Sequence, residues 1–126
     1  MQTTTLTYPS HDGTSTIRAL VWEPDDAARP DLSPRAVVQL VHGMSEHVER
    51  YAPFAEYLVA HGFVVCANDH VGHGKTACSA DDLGHMPLEV GEDALVEDVH
   101  ALREKVRERY PGTRHVMFGH SMGSFV

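Results

Sequence analysis

Three short apolar runs place the strongest constraint on the fold. They cover residues 36–41, 63–67 and 115–118, and none of them alternates polar with apolar side chains. Such a run is typical of a strand that is buried on both faces of a parallel sheet. Because helical segments separate the runs, we expect right-handed crossovers and therefore an α/β fold.

The segments between the runs carry helix signals. Pro53 suits a first helical turn, where its missing N–H costs nothing, and Phe54 and Leu58 then share a face before Gly62 ends the helix. A longer helix is predicted from about residue 92 to residue 109. Four apolar residues share one face of it: Leu95, Val99, Leu102 and Val106.

An antiparallel hairpin is predicted before the first run. Residues 3–8 and 16–23 are rich in β-branched and aromatic side chains, and the Asp12-Gly13 pair between them suits a tight turn. Residues 24–35 are rich in proline and aspartate, which indicates a surface loop. A chain of 126 residues has room for one domain but not for two.

The sequence Gly119-His120-Ser121-Met122-Gly123 directly follows the third run. G-x-S-x-G after a strand is typical of a nucleophile elbow, a sharp strand-to-helix turn that exposes the serine hydroxyl at the top of the sheet. We expect the flanking glycines because the strained turn leaves no room for Cβ atoms. The alternative is a turn serine without chemistry. As a nucleophile, Ser121 needs a histidine base within hydrogen-bonding reach.

His42-Gly43-Met44 follows the first run. Folds with such an elbow bind the oxyanion of a tetrahedral intermediate through two backbone N–H groups. One belongs to the residue after the nucleophile, here Met122, and the other to the loop after the third strand, here Met44. Two such donors stabilise the transition state by several kcal/mol. The alternative interpretation is an ordinary turn at the end of a strand.

Residues 68–74 are predicted to form the loop that follows the second run. Asp69 can accept hydrogen bonds from nearby backbone N–H groups, and the glycines around it permit positive φ angles. The loop follows the carboxyl end of a strand, on the side of the sheet where sites form in α/β folds. We favour a structural role for Asp69 over direct catalysis.

Ten histidines raise the possibility of a metal site. Asp69 and His70 with His73 make the best cluster, but their spacing does not match a zinc-hydrolase motif such as H-E-x-x-H. We therefore expect neither a metal nor a cofactor. His42 and His120 lie near Ser121 in the predicted fold, yet each belongs to a motif that shapes the backbone, so neither is favoured as the general base.

Composition excludes several classes of partner. A net charge of −8 argues against binding to nucleic acid or to an anionic membrane surface. No apolar run approaches the roughly 20 residues that cross a bilayer, and the first residues do not resemble a signal peptide. Cys66 lies in an apolar run, and with Cys78 it does not form a disulfide framework. We expect a cytoplasmic protein and leave its oligomeric state open.

These motifs, in this order, resemble the α/β-hydrolase superfamily. The closer likeness is to the monoacylglycerol lipase and lysophospholipase group, the serine aminopeptidase S33-like proteins. It covers most of residues 36–126 and is carried by residues 42–47, 50–51, 69–74 and 119–123. The resemblance implies an α/β-hydrolase fold, a mostly parallel sheet with an N-terminal antiparallel hairpin. It also implies Ser121 as the nucleophile and the amides of Met44 and Met122 as oxyanion donors.

The resemblance further implies groups that have no counterpart in this sequence. The aspartate and histidine of the family's catalytic triad follow later strands, and the cap over the acyl pocket also comes later. We therefore interpret residues 1–126 as the N-terminal half of a single α/β-hydrolase domain, truncated after the nucleophile elbow. On this interpretation the strand before Ser121 has an unpaired apolar edge and uncovered faces. Ser124 replaces a glycine that is common in the family, and it is still small.

Three functions remain open at this point. The first is a serine carboxylester hydrolase that acts on a small-molecule or lipid ester through an acyl-enzyme on Ser121; a monoacylglycerol or lysophospholipid substrate is implied by the resemblance alone. The second is a non-catalytic fragment, because the missing acid and base would leave these residues inactive by themselves. The third is an aminopeptidase-type amide hydrolase of the same fold.

Overall fold

A computed structural model describes residues 1–25, 33–43, 46–76 and 91–126, with the side chains at positions 91, 92 and 125 excepted. The predicted order of strands and helices is confirmed. The strands are β1 (Gln2–Pro9), β2 (Thr16–Glu23), β3 (Val37–Val41), β4 (Val64–Asn68) and β5 (His115–Gly119). The α-helices are α1 (Ala52–Ala60) and α2 (Gly91–Arg109). Neither helix, in the part of the chain described, is long and apolar enough to cross a membrane.

The strands form one mixed sheet in the order β1-β2-β4-β3-β5. β1 pairs antiparallel with β2, and β2 pairs antiparallel with β4. β3 lies parallel to both β4 and β5. The hairpin connection is wider than the tight Asp-Gly turn predicted: the Ser10 N–H donates to the Ser15 carbonyl at 2.9 Å, and Asp12 accepts the Thr14 and Ser15 N–H groups inside the loop.

Helices cover both faces of the sheet. On one face α2 buries the predicted stripe, Leu95, Val99, Leu102 and Val106, and Cys66 belongs to the same core as Leu102 and Val106. On the other face α1 buries Ala55 and Val59 against strand residues that include Leu40. This division follows from the alternation of side chains along each strand. Cys78 lies outside the described residues.

Gln39 is the polar residue in the middle of β3, and it is fully buried. Its side-chain amide donates to the Val99 carbonyl of α2 at 2.8 Å, and its oxygen lies 3.0 Å from Nε2 of His115 on β5. A buried amide is tolerated only when it is hydrogen-bonded. Gln39 therefore fixes α2 and β5 relative to the central strand of the parallel section.

β5 departs from its prediction. Its residues Val116, Met117 and Phe118 are 43%, 49% and 44% exposed, whereas every residue of β3 and β4 is buried. The reason is its place in the sheet: β5 is last in the strand order, and the helices pack mainly against β4 and β2. The run pattern alone predicted burial on both faces, which is wrong for β5 within these residues, whereas the expected unpaired edge with uncovered faces is confirmed there.

Candidate active site

Three loops meet where the parallel strands end. The last residue of β3, Val41, lies opposite the last residue of β5, Gly119. The loop after β3 therefore contacts the turn after β5. An added Cβ at Gly43 would lie only 3.1 Å from the Ser121 Cβ and 3.0 Å from the His120 carbonyl oxygen. The fold thus brings Gly43 of the loop after β3 close to His120 and Ser121 of the turn after β5.

Ser121 has the backbone conformation of a nucleophile elbow. Its φ is 55°, and no other non-glycine residue in the described ranges has a positive φ. That conformation costs an L-residue about 1–2 kcal/mol, and strained backbone of this kind clusters at functional sites. The Ser121 side chain is exposed. The chain continues as a 3₁₀ helix, Ser121–Phe125.

The flanking glycines are required by close approach between chain segments. A Cβ at Gly123 would overlap the Val41 carbonyl oxygen and lie 2.7 Å from that of His42. A Cβ at Gly119 would lie 2.6 Å from the Gly123 carbonyl oxygen. The positive φ belongs to Ser121 and not to either glycine. The glycines therefore permit close contact between the two ends of the elbow and between the elbow and the end of β3. The strained backbone angle is at Ser121.

Met122 lies in the first turn of the 3₁₀ helix Ser121–Phe125. The Gly123 N–H donates to the His120 carbonyl at 2.9 Å and so makes the first hydrogen bond of the 3₁₀ helix. The amide of Met122 precedes that bond, and the first N–H groups of a helix have no partner within the helix. The second predicted donor, Met44, lies outside the described residues. The neighbouring Gly43 N–H already donates to Glu46 at 2.7 Å.

His42 is buried with both ring nitrogens engaged. Its Nδ1–H donates to the Gly43 carbonyl at 2.7 Å, and its Nε2 accepts the backbone N–H of His70 at 3.0 Å. A backbone N–H can only donate, so the hydrogen of the neutral His42 ring is on Nδ1. Burial lowers the pKa of His42. No ring nitrogen is left to take a proton from Ser121, which supports the expectation that His42 is not the base.

His70 packs on His42 in the same buried cluster, with ring centroids 4.1 Å apart. Its Nε2–H donates to the His42 carbonyl at 3.0 Å. Burial, and secondarily the neighbouring His42, lower the pKa of His70 to about 3. The imidazoles of this cluster thus act as neutral hydrogen-bonding groups that shape the loops after β3 and β4.

The buried histidines make the folded protein sensitive to acid. The unfolded chain protonates His70 below about pH 6.5, whereas the folded chain keeps it neutral down to about pH 3. The unfolded state therefore binds more protons in this window, and His70 alone lowers the free energy of unfolding by about 1.4 kcal/mol for each pH unit of acidification. Urea unfolding at about pH 7 and pH 5 measures this loss.

The matched comparison uses two glutamine variants. His70→Gln removes the buried titrating group, so its loss of stability on acidification should be smaller than that of the wild type. His100→Gln removes an exposed histidine of α2 and should retain the wild-type dependence on pH. Equal pH dependence in all three proteins would contradict the account.

Asp69 is fully buried at the end of β4. Its Oδ1 accepts the Val48 N–H at 2.8 Å, its Oδ2 accepts the Lys75 N–H at 3.0 Å, and its Oδ2 lies 3.6 Å from the Arg18 guanidinium. Asp69 therefore accepts backbone N–H groups as predicted. Its carboxylate joins the loop after β4 to the turn before α1.

Replacing Asp69 by alanine should lower the free energy of unfolding by about 3 kcal/mol, because it leaves the buried Val48 N–H and the partly buried Lys75 N–H without an acceptor, and Arg18 without one of its anionic neighbours. Asp93→Asn serves as the control, since Asp93 is exposed near the start of α2 and should cost no more than about 1 kcal/mol. Urea unfolding measures both values. Equal stabilities of the two variants would exclude a structural role for Asp69.

Glu46 is the residue that the sequence-based prediction missed. Its carboxylate is only 7% exposed. Its Oε1 accepts hydrogen bonds from the Gly43 N–H at 2.7 Å, the Tyr51 hydroxyl at 3.0 Å and His120 Nδ1 at 3.0 Å. Burial by itself would raise the pKa of Glu46, but these hydrogen bonds outweigh it and lower the pKa to about 2. An acidic residue three positions after Gly43 was the available signal.

An open groove of about 310 Å³ lies beside the elbow. The rings of Phe54 and Phe118 form its apolar wall, with centroids 5.3 Å apart. Phe54 is 37% exposed and faces the groove, while Ala55 and Val59 form the buried face of α1. The polar lining residues are Glu46, Arg50, Tyr51 and His120. The groove thus offers an apolar and a polar side, and His120, the residue before Ser121, lines it.

In residues 1–25, 33–43, 46–76 and 91–126, no three His, Cys, Asp or Glu side chains are grouped to hold a metal ion. The ring of His73 donates through Nδ1 to the Val71 carbonyl at 2.9 Å.

A known protein family matches most of the chain. The serine aminopeptidase, S33 family matches residues 32–126. The chain belongs to this family. The monoacylglycerol lipase of Mycolicibacterium smegmatis is 33% identical to this S33 chain over 98 residues, covering 78% of the chain and 33% of the lipase. Human monoglyceride lipase is 32% identical over 105 residues, covering 78% of the chain and 30% of that protein.

Solved structures confirm the α/β-hydrolase fold. A highly thermostable carboxyl esterase from Bacillus coagulans, in complex with glycerol, matches 98% of the S33 chain with a TM-score of 0.81 and 40% identity. A lipase in its open form matches the same share with a TM-score of 0.80 and 32% identity. The chain spans 38% and 37% of those two structures and about a third of the two lipase sequences.

Proposed function

We propose that this S33 chain carries the nucleophile of a serine hydrolase that cleaves carboxylic esters. The observation that supports this most strongly is the positive φ of an exposed Ser121 at the carboxyl edge of the sheet. The Ser121 oxygen attacks the ester carbonyl, and the amides of Met122 and Met44 stabilise the oxyanion. The alcohol leaves with a proton, and water then releases the acyl group from Ser121 as the acid.

The proton of Ser121 needs an acceptor, which we propose lies outside this sequence. His42 cannot be that acceptor, because both of its ring nitrogens are bonded to backbone groups. His120 precedes Ser121 directly in the chain, whereas the base of such a fold follows the nucleophile. The α/β-hydrolase order of nucleophile, acid and base also places the other two groups later in a chain. On this proposal residues 1–126 are the N-terminal half of one hydrolase domain, and by themselves they would not turn over an ester.

The groove favours an ester with an apolar portion. Phe54 and Phe118 present exposed rings, and the guanidinium of Arg50 lies on the polar side. The relatives that are named monoacylglycerol and monoglyceride lipases support a monoacylglycerol as the lipid ester, whereas a lysophospholipid rests on the family resemblance alone. The carboxyl esterase neighbour equally supports a small ester.

A serine-directed fluorophosphonate tests the proposal on the intact protein. We expect a single adduct on Ser121, located by mass spectrometry of the peptide that contains it. Turnover of p-nitrophenyl esters should exceed turnover of aminoacyl anilides. Failure of the folded, intact protein to label at Ser121 would contradict the serine mechanism, whereas faster cleavage of the anilides would favour the amide hydrolase.

A further inference from the structure

We propose that Glu46 is a positioning residue. It joins the loop after β3, through Gly43, to the nucleophile elbow, through His120, and so holds Ser121 in a fixed position relative to the oxyanion donors. The inference rests on the proposed serine hydrolase function. It assigns to a buried carboxylate a role that none of the sequence motifs predicts.

Three separate segments donate to one oxygen of Glu46. The Gly43 N–H comes from the loop after β3, the Tyr51 hydroxyl from the 3₁₀ turn Val48–Tyr51, and Nδ1 of His120 from the residue directly before Ser121. The second oxygen lies 3.3 Å from Nε of Arg50. Removing the carboxylate would therefore release both sides of the site together.

The bond to Gly43 bears directly on the oxyanion hole. Met44, the predicted donor, is the next residue in the sequence, so the bond to Glu46 fixes the backbone N–H of the residue directly before it. An oxyanion donor must be aimed before the reaction takes place, because its value comes from preorganisation. The elbow is equally close, since a Cβ at Gly43 would lie 3.1 Å from that of Ser121.

The negative charge of Glu46 matters as well as its shape. Hydrogen bonds to an ionised acceptor are roughly twice as strong as bonds between neutral groups. The low pKa of Glu46, about 2, keeps its carboxylate ionised at neutral pH. Oε1 accepts from three protein donors, and Oε2 lies beside Arg50. Glu46 therefore acts through Gly43 and His120 and not on the reacting atoms.

Replacing Glu46 by glutamine or by alanine separates the contribution of its negative charge from that of its hydrogen bonds. Glu46→Gln retains an oxygen that can accept from Gly43 and Tyr51, but it loses the charge and turns an amide NH₂ toward Arg50. Glu46→Ala removes every one of these bonds. Glu56→Gln makes the same change of charge at an exposed position of α1 and serves as the matched control.

Steady-state kinetics of the intact variants on a p-nitrophenyl ester test the inference. We expect kcat to fall about 10-fold in Glu46→Gln and about 100-fold in Glu46→Ala, with KM changed by less than about twofold, because the lost interactions act in the transition state. Glu56→Gln should match the wild type. All rates are normalised to the concentration of active sites titrated with the fluorophosphonate, so that a loss of folded protein does not count as a loss of rate.

The outcomes separate this inference from the proposed function. A normalised kcat within about twofold of the wild type in both Glu46 variants would overturn the positioning role. If Glu46→Ala does not fold, a wild-type kcat in folded Glu46→Gln would overturn it equally. Ester turnover that survives Ser121→Ala would instead contradict the serine mechanism itself.

Discussion

Ser121→Ala is expected to abolish ester turnover by the intact protein, with kcat falling by a factor of about 10⁴ or more. Alanine has no nucleophilic oxygen, so only the oxyanion donors and substrate binding would remain to accelerate attack by water. The fold itself should survive, because the side chain at position 121 is exposed. Hydrolysis of a p-nitrophenyl ester and fluorophosphonate labelling measure the loss.

Ser124→Ala is the matched control within the same turn. The Ser124 hydroxyl donates to the Ser121 carbonyl at 2.6 Å, so its removal disturbs the elbow without removing the nucleophile. We expect a cost of about 1 kcal/mol in stability, with labelling of Ser121 retained. Equal loss of turnover in the two variants would mean that the backbone of the turn, and not the Ser121 oxygen, is what activity requires.

Gly123→Ala is expected to lower the free energy of unfolding by about 3 kcal/mol and to slow labelling of Ser121 sharply. The added Cβ would overlap the Val41 carbonyl oxygen, and neither segment can yield easily. Val41 belongs to a buried strand, and Gly123 makes the first hydrogen bond of the 3₁₀ helix. Urea unfolding and labelling kinetics give the two measurements.

Gly112→Ala distinguishes crowding from backbone strain. Gly112 has a φ of +79° and open space around its Cβ position, so alanine there costs about 1 kcal/mol through conformation alone. It lies in the turn before β5, and labelling of Ser121 should be unchanged. If Gly123→Ala proves as stable and as reactive as Gly112→Ala, the close-approach explanation for the elbow glycine is wrong.

Local patterns predicted most of the framework. The spacing of Leu95, Val99, Leu102 and Val106 depends only on the helical period, and all four are buried. The hairpin strands were likewise predicted from their composition, although the connection between them is wider because Asp12 bonds to the backbone within it. Such features are determined by residues that are near one another in sequence.

Features that depend on distant neighbours were not predictable in this way. The apolar residues of β5 resemble those of β3, but β5 lies at the edge of the described sheet and the helices pack mainly against β4 and β2, so its faces are less covered. Glu46 contacts His120, which is 74 residues away, so its place in the site emerges only when β3 and β5 pair. The motifs predicted which backbone segments meet, but not the carboxylate that joins them.

The left-handed conformation of Ser121 has a consequence for how such a protein can change over time. Glycine would adopt the same backbone angle without the penalty of about 1–2 kcal/mol, so the most stable residue for this position is one that removes the reactive oxygen. Stability and activity therefore favour different residues at the same site. On the proposed function, Ser121 is therefore a position where the requirement for a nucleophilic oxygen outweighs the backbone preference of the residue.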